Sequence, residues 1–208
     1  MLNAGRDSEA LRFVEVIKKR VSTHSSSRER LIVADILIRA DQFSDAVGLL
    51  ESVDPSGRSL PIQTRRLRAL LFGGYRRKSK DLLEKVPPEW LSDDAFRRLA
   101  MGVAQEANDW SQLELLARLH REAHPERAEA WVFWYQVVLH TRPPAQIRNA
   151  FSEAPERLTG TLKQIAHLAA AELQYGKPEV GYARLYRMFR SNMDDVSAAS
   201  SYLMGVLI

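Results

Sequence analysis

PERAEAWVFWYQVVLH, residues Pro125 to His140, is the most apolar run of the chain and the one that sets its register. Proline opens it, Glu126 and Glu129 follow, and from Trp131 to Leu139 only Gln136 interrupts the apolar side chains. A helix that is hydrophobic nearly all round needs covering on several sides, so this run predicts an inner helix with neighbours before and after it. Trp131, Trp134, Tyr135 and Val138 fall at i, i+3, i+4 and i+7 and share one face, which is the spacing that packing between neighbouring helices requires. Val132, Phe133, Gln136 and His140 are left on the opposite side for contact with a ligand.

Outward from this stretch, the same alternation of helix and breaker recurs. Upstream, Ser8 to Val21 carries Leu11, Val14, Ile17 and Val21 at helical spacing, and Arg28 to Ala40 does so through Leu31, Ile32, Ile36 and Leu37. Asp41-Gln42-Phe43 makes a turn, after which Ser44 is expected to cap a helix that ends before Pro55. Pro61 to Phe72 is followed by Gly73-Gly74 and a basic helix that stops at Pro87-Pro88, because proline cannot continue a helix interior. Asp93 to Ala107 leads through Asn108-Asp109-Trp110 into Ser111 to His120. Downstream, Thr141 to Pro143 breaks the opening helix and Ala145 to Ala154 closes that pair. Thr161 to Tyr175 and Pro178 to Phe189 form another pair around Gly176, and Asp194 to Leu207 is a last helix. No run of β-branched residues alternates with polar ones between turn signals, so no strand is predicted and the class is all-α.

The second helix of each pair is expected to start at Phe43, near Arg76, and at Trp110, Pro144 and Pro178, steps of 33, 34, 34 and 34 residues. A fixed period of this length marks a repeat array. Asp41-Gln42-Phe43 with Ala46 and Leu50 supplies a turn, an aromatic, a small and an apolar residue; Asn108-Asp109-Trp110 with Pro125 repeats the turn and adds a terminal proline. Trp131, Gly176, Gly181 and Leu185 continue the series. In period and in these residues nearly the whole chain resembles the tetratricopeptide repeat (TPR) family, whose unit is a helix-turn-helix of about 34 residues. Leu113 and Ile147 depart from the pattern where a small residue lets two helices approach, and Arg76 or Arg77 stands where an aromatic is usual.

The resemblance implies a right-handed α-solenoid of antiparallel helix pairs, a single repeat domain over residues 1–208 with about five hairpins and half units at both ends. In this phase Ser8 to Val21 is a second helix without its first, and Asp194 to Leu207 a first helix without its second. The chain is therefore expected to be part of a longer protein, or to cover Leu203, Val206, Leu207 and Ile208 with a second copy, as a homodimer through the C-terminal helix. In TPR arrays the first helices line the concave surface. The resemblance thus implies a groove from Leu31, Asp35 and Arg39, then Arg65 and Arg68, Arg98 and Gln105, Val132, Phe133, Gln136 and His140, and finally Lys163, His167 and Gln174. Cations, amides and a small apolar centre of this kind suit an extended or helical peptide with acidic residues.

Few other chemistries are open. The chain has no cysteine, which removes disulfides, thiolate metal sites and cysteine nucleophiles. His120 and His124 stand one helical turn apart, but no glutamate follows the first and no third ligand is evident in the sequence, so no metal is expected. There is no Gly-x-Ser-x-Gly and no glycine loop leading into Lys-Ser or Lys-Thr. Asp93-Asp94 and Asp194-Asp195 each precede a predicted helix, where acids suit the positive end of the dipole. Neither a catalytic residue nor a cofactor is expected. Arg6, Asp7 and Glu9 occupy the place where a secretory signal needs an apolar core, and no apolar run is long enough to span a bilayer, which points to a soluble, cytoplasmic protein with no membrane partner.

The net charge of +4 is modest for 208 residues, but its distribution is not even. Between Arg58 and Lys85 nine cations face only Asp81 and Glu84, a local excess of seven positive charges. An anionic partner is drawn to such a stretch. The reading from the sequence is a non-catalytic protein-interaction scaffold that binds a peptide or protein segment. The alternatives are a nucleic-acid-associated module that uses residues 58–85, although aromatics for base stacking are sparse there, or a regulatory region of a larger enzyme.

Overall fold

The computed structural model describes residues 16, 26–151, 153–192 and 200. Among them are ten α-helices, a 3-10 turn and no strand, only an isolated bridge between Arg127 and Thr159. The all-α expectation holds for these residues. The helices run in chain order as α1 Ser27–Arg39, α2 Phe43–Val53, α3 Leu60–Phe72, α4 Arg76–Leu83, α5 Asp94–Glu106, α6 Trp110–Ala123, α7 Ala128–Thr141, α8 Pro144–Ala150, α9 Leu162–Tyr175 and α10 Pro178–Ser191. Pro88–Ser92 forms the 3-10 turn before α5. The helices expected over Ser8–Val21 and Asp194–Leu207 lie outside the described residues, apart from Val16 and Ser200.

The period is as regular in the structure as in the sequence. The odd-numbered helices start at Ser27, Leu60, Asp94, Ala128 and Leu162, and the even-numbered ones at Phe43, Arg76, Trp110, Pro144 and Pro178, so both series step by 33, 34, 34 and 34 residues. Even the turn conformation recurs. Asp41, Gly74 and Asn108, each two residues before an even-numbered helix, adopt φ of 56°, 72° and 54°. This left-handed residue turns the backbone N–H of Gln42 to the Leu37 carbonyl (2.8 Å) and that of Tyr75 to the Leu70 carbonyl (2.9 Å), which closes the C-terminus of the preceding helix.

Caps explain most helix starts. Ser26 with Glu29, and Thr161 with Gln164, form reciprocal capping boxes at α1 and α9. Asp93 accepts from the Phe96 N–H at 2.8 Å and Asp109 from the Gln112 N–H at 3.0 Å. The expected cap at Ser44 is not observed: α2 begins at Phe43, and Gln42 precedes it without a side-chain cap. Pro125 to Arg127, expected to open the central helix, lies outside α7. The Trp131 indole N–H holds the Pro125 carbonyl at 2.8 Å, and the Ala128 N–H donates to Thr159 at 2.8 Å, so the chain enters the helix only at Ala128. The helix expected over Ala145 to Ala154 shortens to α8, because the chain turns at Phe151, whose ring is buried and stacks on Tyr135 at 4.0 Å.

The chain divides into two compact units, Met1–Asn108 and Asp109–Ile208, at the Asn108-Asp109 turn. In the first unit α1 packs on α2 and α3, α2 on α3, α3 on α4 and α5, and α4 on α5. Ala34, Leu50, Leu67, Leu70, Phe96 and Met101 are among its fully buried side chains. In the second unit α7 is flanked by α6, α8 and α9, and α9 packs on α10. This is the covering that the apolar helix requires. Trp131, Trp134, Tyr135 and Val138 are buried, while Val132, Phe133 and Gln136 are half-buried and His140 is exposed, so the two faces divide as the spacing predicts.

Candidate functional site

In the first unit, the Asp35 and Arg39 side chains of α1 meet Arg65 and Arg68 of α3 in one cleft of about 400 Å³. Ile38, Leu60 and Pro61 supply apolar lining, and Asp93 and Ala95 from the start of α5 complete it. The four groove residues converge because α1 and α3 are neighbours and the period places Asp35 and Arg65 at equivalent positions of successive repeats. Arg65 Nε lies 2.9 Å from the Asp35 carboxylate, and its Nη1 donates to the Pro61 carbonyl at 3.1 Å. Arg39 and Arg68 are exposed and have no hydrogen-bond, ion-pair or ring partner among the described residues. Asp93 is engaged as the cap of α5.

The cleft therefore presents two unpaired guanidiniums beside one guanidinium already held by a carboxylate, over a small apolar floor. A guanidinium is permanently charged and offers a planar fork of donors that fits a carboxylate or phosphate. Arg98, also expected in the groove, pairs with Asp94 one turn earlier at 3.4 Å, and neither it nor Gln105 lines the cleft.

No family model, no curated protein and no solved structure matches the chain. The site is read from its own geometry.

The remaining groove candidates belong to the second unit. On α7 the His140 ring stacks on Trp110 with centroids 3.7 Å apart and planes 11° apart, while its Nδ1 lies 2.8 Å from the Gln136 carbonyl. Only a donor can serve that carbonyl, so the proton sits on Nδ1. Phe133 and Gln136 flank it half-buried. On α9, Lys163, His167 and Gln174 are exposed and none has a partner among the described residues. None of these six lines either of the two clefts described here.

The second unit holds a cleft of its own, about 490 Å³, between the α8 to α9 connection and the α9 and α10 helices. Its frame is a buried network. Arg184 of α10 donates to both oxygens of Glu172 on α9, at 2.9 and 2.7 Å, and to the Pro155 carbonyl at 3.0 Å. The Tyr135 hydroxyl donates to the Phe151 carbonyl at 3.0 Å and sits 3.4 Å from Glu172. Burial, and then the Glu172 charge, push the Tyr135 phenol far above its usual range. No feature of the sequence reading pointed here: Glu172 and Arg184 look like ordinary helix-surface residues until α9 and α10 are packed. The stretch 153–160, which carries Arg157 and Leu158, has neither helical nor strand periodicity to place it.

Of the nine cations between Arg58 and Lys85, the structure pairs Arg65 with Asp35, Arg66 with Glu51 and Arg76 with Glu106, and sets Lys78 over the Tyr75 ring. Arg58, Arg68, Arg77, Lys80 and Lys85 have no side-chain partner among the described residues. No helix among the described residues is long and apolar enough to cross a membrane.

Proposed function

We propose that the chain is a non-catalytic protein-interaction module, built of TPR-like hairpins that stack as a solenoid within each unit, and that the cleft of α1 and α3 holds a partner's peptide segment through an acidic side chain. The recurrence of both helix series at 33 and 34 residues supports the repeat reading. One observation carries the functional part: Arg39 and Arg68 line the cleft unpaired, next to a guanidinium whose charge Asp35 already satisfies. A carboxylate entering between Arg39 and Arg68 gains two charge-assisted partners. It also meets an apolar floor for the neighbouring residue. The Asp35 to Arg65 pair fixes one wall and rejects a second acid at that point by like-charge repulsion with Asp35.

The test is a pull-down with the intact chain, followed by binding isotherms for whatever peptide segment is captured, repeated with Arg39→Ala/Arg68→Ala and with Arg65→Glu/Arg68→Glu. Losing both free guanidiniums is expected to weaken an acidic segment by about 2 to 4 kcal/mol, on the order of a hundredfold. A partner that binds both variants as well as it binds the parent removes the cleft from the interaction.

A nucleic-acid partner is the second reading, favoured by the five unpaired cations of the basic stretch. Titration with single- and double-stranded RNA and DNA across salt concentration separates it, since phosphate contacts give a steep fall in affinity with salt. No binding at low salt rejects it.

A further inference from the structure

The cleft of the second unit is an independent docking site, and it shares no residue with the groove. The stretch after α8 is not a free loop. Arg184 Nη1 reaches the Pro155 and Glu156 carbonyls at 3.0 and 3.4 Å, and Arg187 Nη1 reaches the Glu156 carbonyl at 2.9 Å. Two guanidiniums of α10 thus staple the connection down as a shelf. Under it, Leu158, Ile165 and Met188 line a space of about 490 Å³, which lies in the range of pockets that take several side chains of a ligand.

The charges around this space are unequal in their availability. Arg184 is buried and neutralised by Glu172, and Arg187 is committed to Glu156 and to the Ala183 carbonyl at 3.2 Å. Arg157 is exposed on the shelf, lines the same cleft, and has no partner among the described residues. Ser191, on the opposite wall, is exposed and its hydroxyl has none either. An apolar pocket with one uncommitted guanidinium and one hydroxyl at its rim selects an apolar side chain next to a carboxylate. We propose that this cleft binds a peptide segment of a partner protein in which a leucine-like residue stands beside an aspartate or glutamate. The apolar side chain enters between Ile165, Leu158 and Met188, and the carboxylate stays at the rim on Arg157. A purely apolar ligand leaves Arg157 unanswered, and a purely acidic one leaves the pocket empty.

The probe is a set of fluorescein-labelled dodecapeptides in a Gly-Ser frame, carrying Leu-Glu or Glu-Leu pairs at the centre. Matched sets replace Glu by Gln or Leu by Ala. Anisotropy with the intact chain is expected to show binding that falls about tenfold in each matched set and about tenfold with Arg157→Glu, the loss of one charge-assisted contact. Leu158→Asp provides the apolar counterpart. Arg157 is on the surface, so Arg157→Glu keeps the fold and decides the matter if Leu158→Asp does not fold. Arg39→Ala/Arg68→Ala separates this site from the other cleft and is expected to leave binding unchanged. No binding of the Leu and Glu peptides overturns the proposal, as does binding that is unchanged in Arg157→Glu or lost only in Arg39→Ala/Arg68→Ala. The last outcome leaves the reading of the first cleft intact.

Discussion

Glu172 and Arg184 meet between α9 and α10 as a two-point ion pair, with guanidinium nitrogens 2.9 and 2.7 Å from the two carboxylate oxygens and both side chains sealed from water. A buried pair of this kind is stable only as a pair, because each charge alone loses its hydration without compensation. Glu172→Gln or Arg184→Met alone should therefore cost about 3 to 5 kcal/mol. Glu172→Leu with Arg184→Met should cost less than the sum of the single changes. Urea denaturation of the four proteins measures both quantities, and additive effects would show that the pair is not coupled.

The same network makes Tyr135 sensitive to alkali. Its phenol is held neutral by burial and by the Glu172 carboxylate, so its folded pKa lies above the unfolded value of about 10. As the pH rises past the unfolded value, the unfolded chain ionises and the folded one does not. Stability is present below about pH 10 and declines above it. Tyr135→Phe removes this contribution, so its denaturation midpoint should fall less steeply than that of the parent between neutral pH and pH ~11.

Asp54 gives the opposite dependence at the acid end. Burial alone would raise its pKa, but the Ser59 N–H (2.9 Å), the Gln63 amide (3.0 Å), the Ser56 hydroxyl (2.8 Å) and the Arg58 N–H (3.3 Å) outweigh it and hold the carboxylate at about 2. A depressed folded pKa stabilises the fold above the unfolded value, near 4, and the contribution is lost as the pH falls through about 2. Asp54→Ala strands the donors of this turn, among them the fully buried Gln63, and should cost about 2 kcal/mol at neutral pH. Acid titrations followed by circular dichroism should show the difference between parent and variant shrinking from pH 4 downwards.

Gly181 marks the closest approach of α9 and α10. A Cβ there would lie 2.7 Å from the Ala169 carbonyl oxygen and 2.8 Å from Leu173 Cγ. Backbone on one side leaves little room to yield, so Gly181→Val should destabilise by about 2 to 3 kcal/mol through overpacking. A thermal melt unchanged by this substitution would mean that the two helices separate freely at this point.

Much of the architecture was legible in one sequence because its signals are local. The 33 and 34 residue steps, the caps at Asp93 and Thr161, the glycine turn at Gly73-Gly74 and the buried face of α7 each follow from residues within a few positions of one another. Four of the twelve groove candidates, Asp35, Arg39, Arg65 and Arg68, converge in one cleft because the repeat places them on adjacent first helices. Ser44 misled because Gln42 already ends the preceding turn, so the helix starts before Ser44 is reached.

By itself the sequence determined an all-helical chain for the described residues, its period and the apolar face of its central helix, since helix propensity, capping and amphipathic spacing are set by near neighbours. Only the tertiary structure decided where α7 begins, which Thr159 settles from 31 residues away. It also decided which cations are free, since the partners Asp35, Glu51 and Glu106 lie outside the basic stretch. The Glu172 to Arg184 pair and the shelf over Ile165 were decided in the same way. Such pairings depend on which helix faces pack together, and no single segment contains that information.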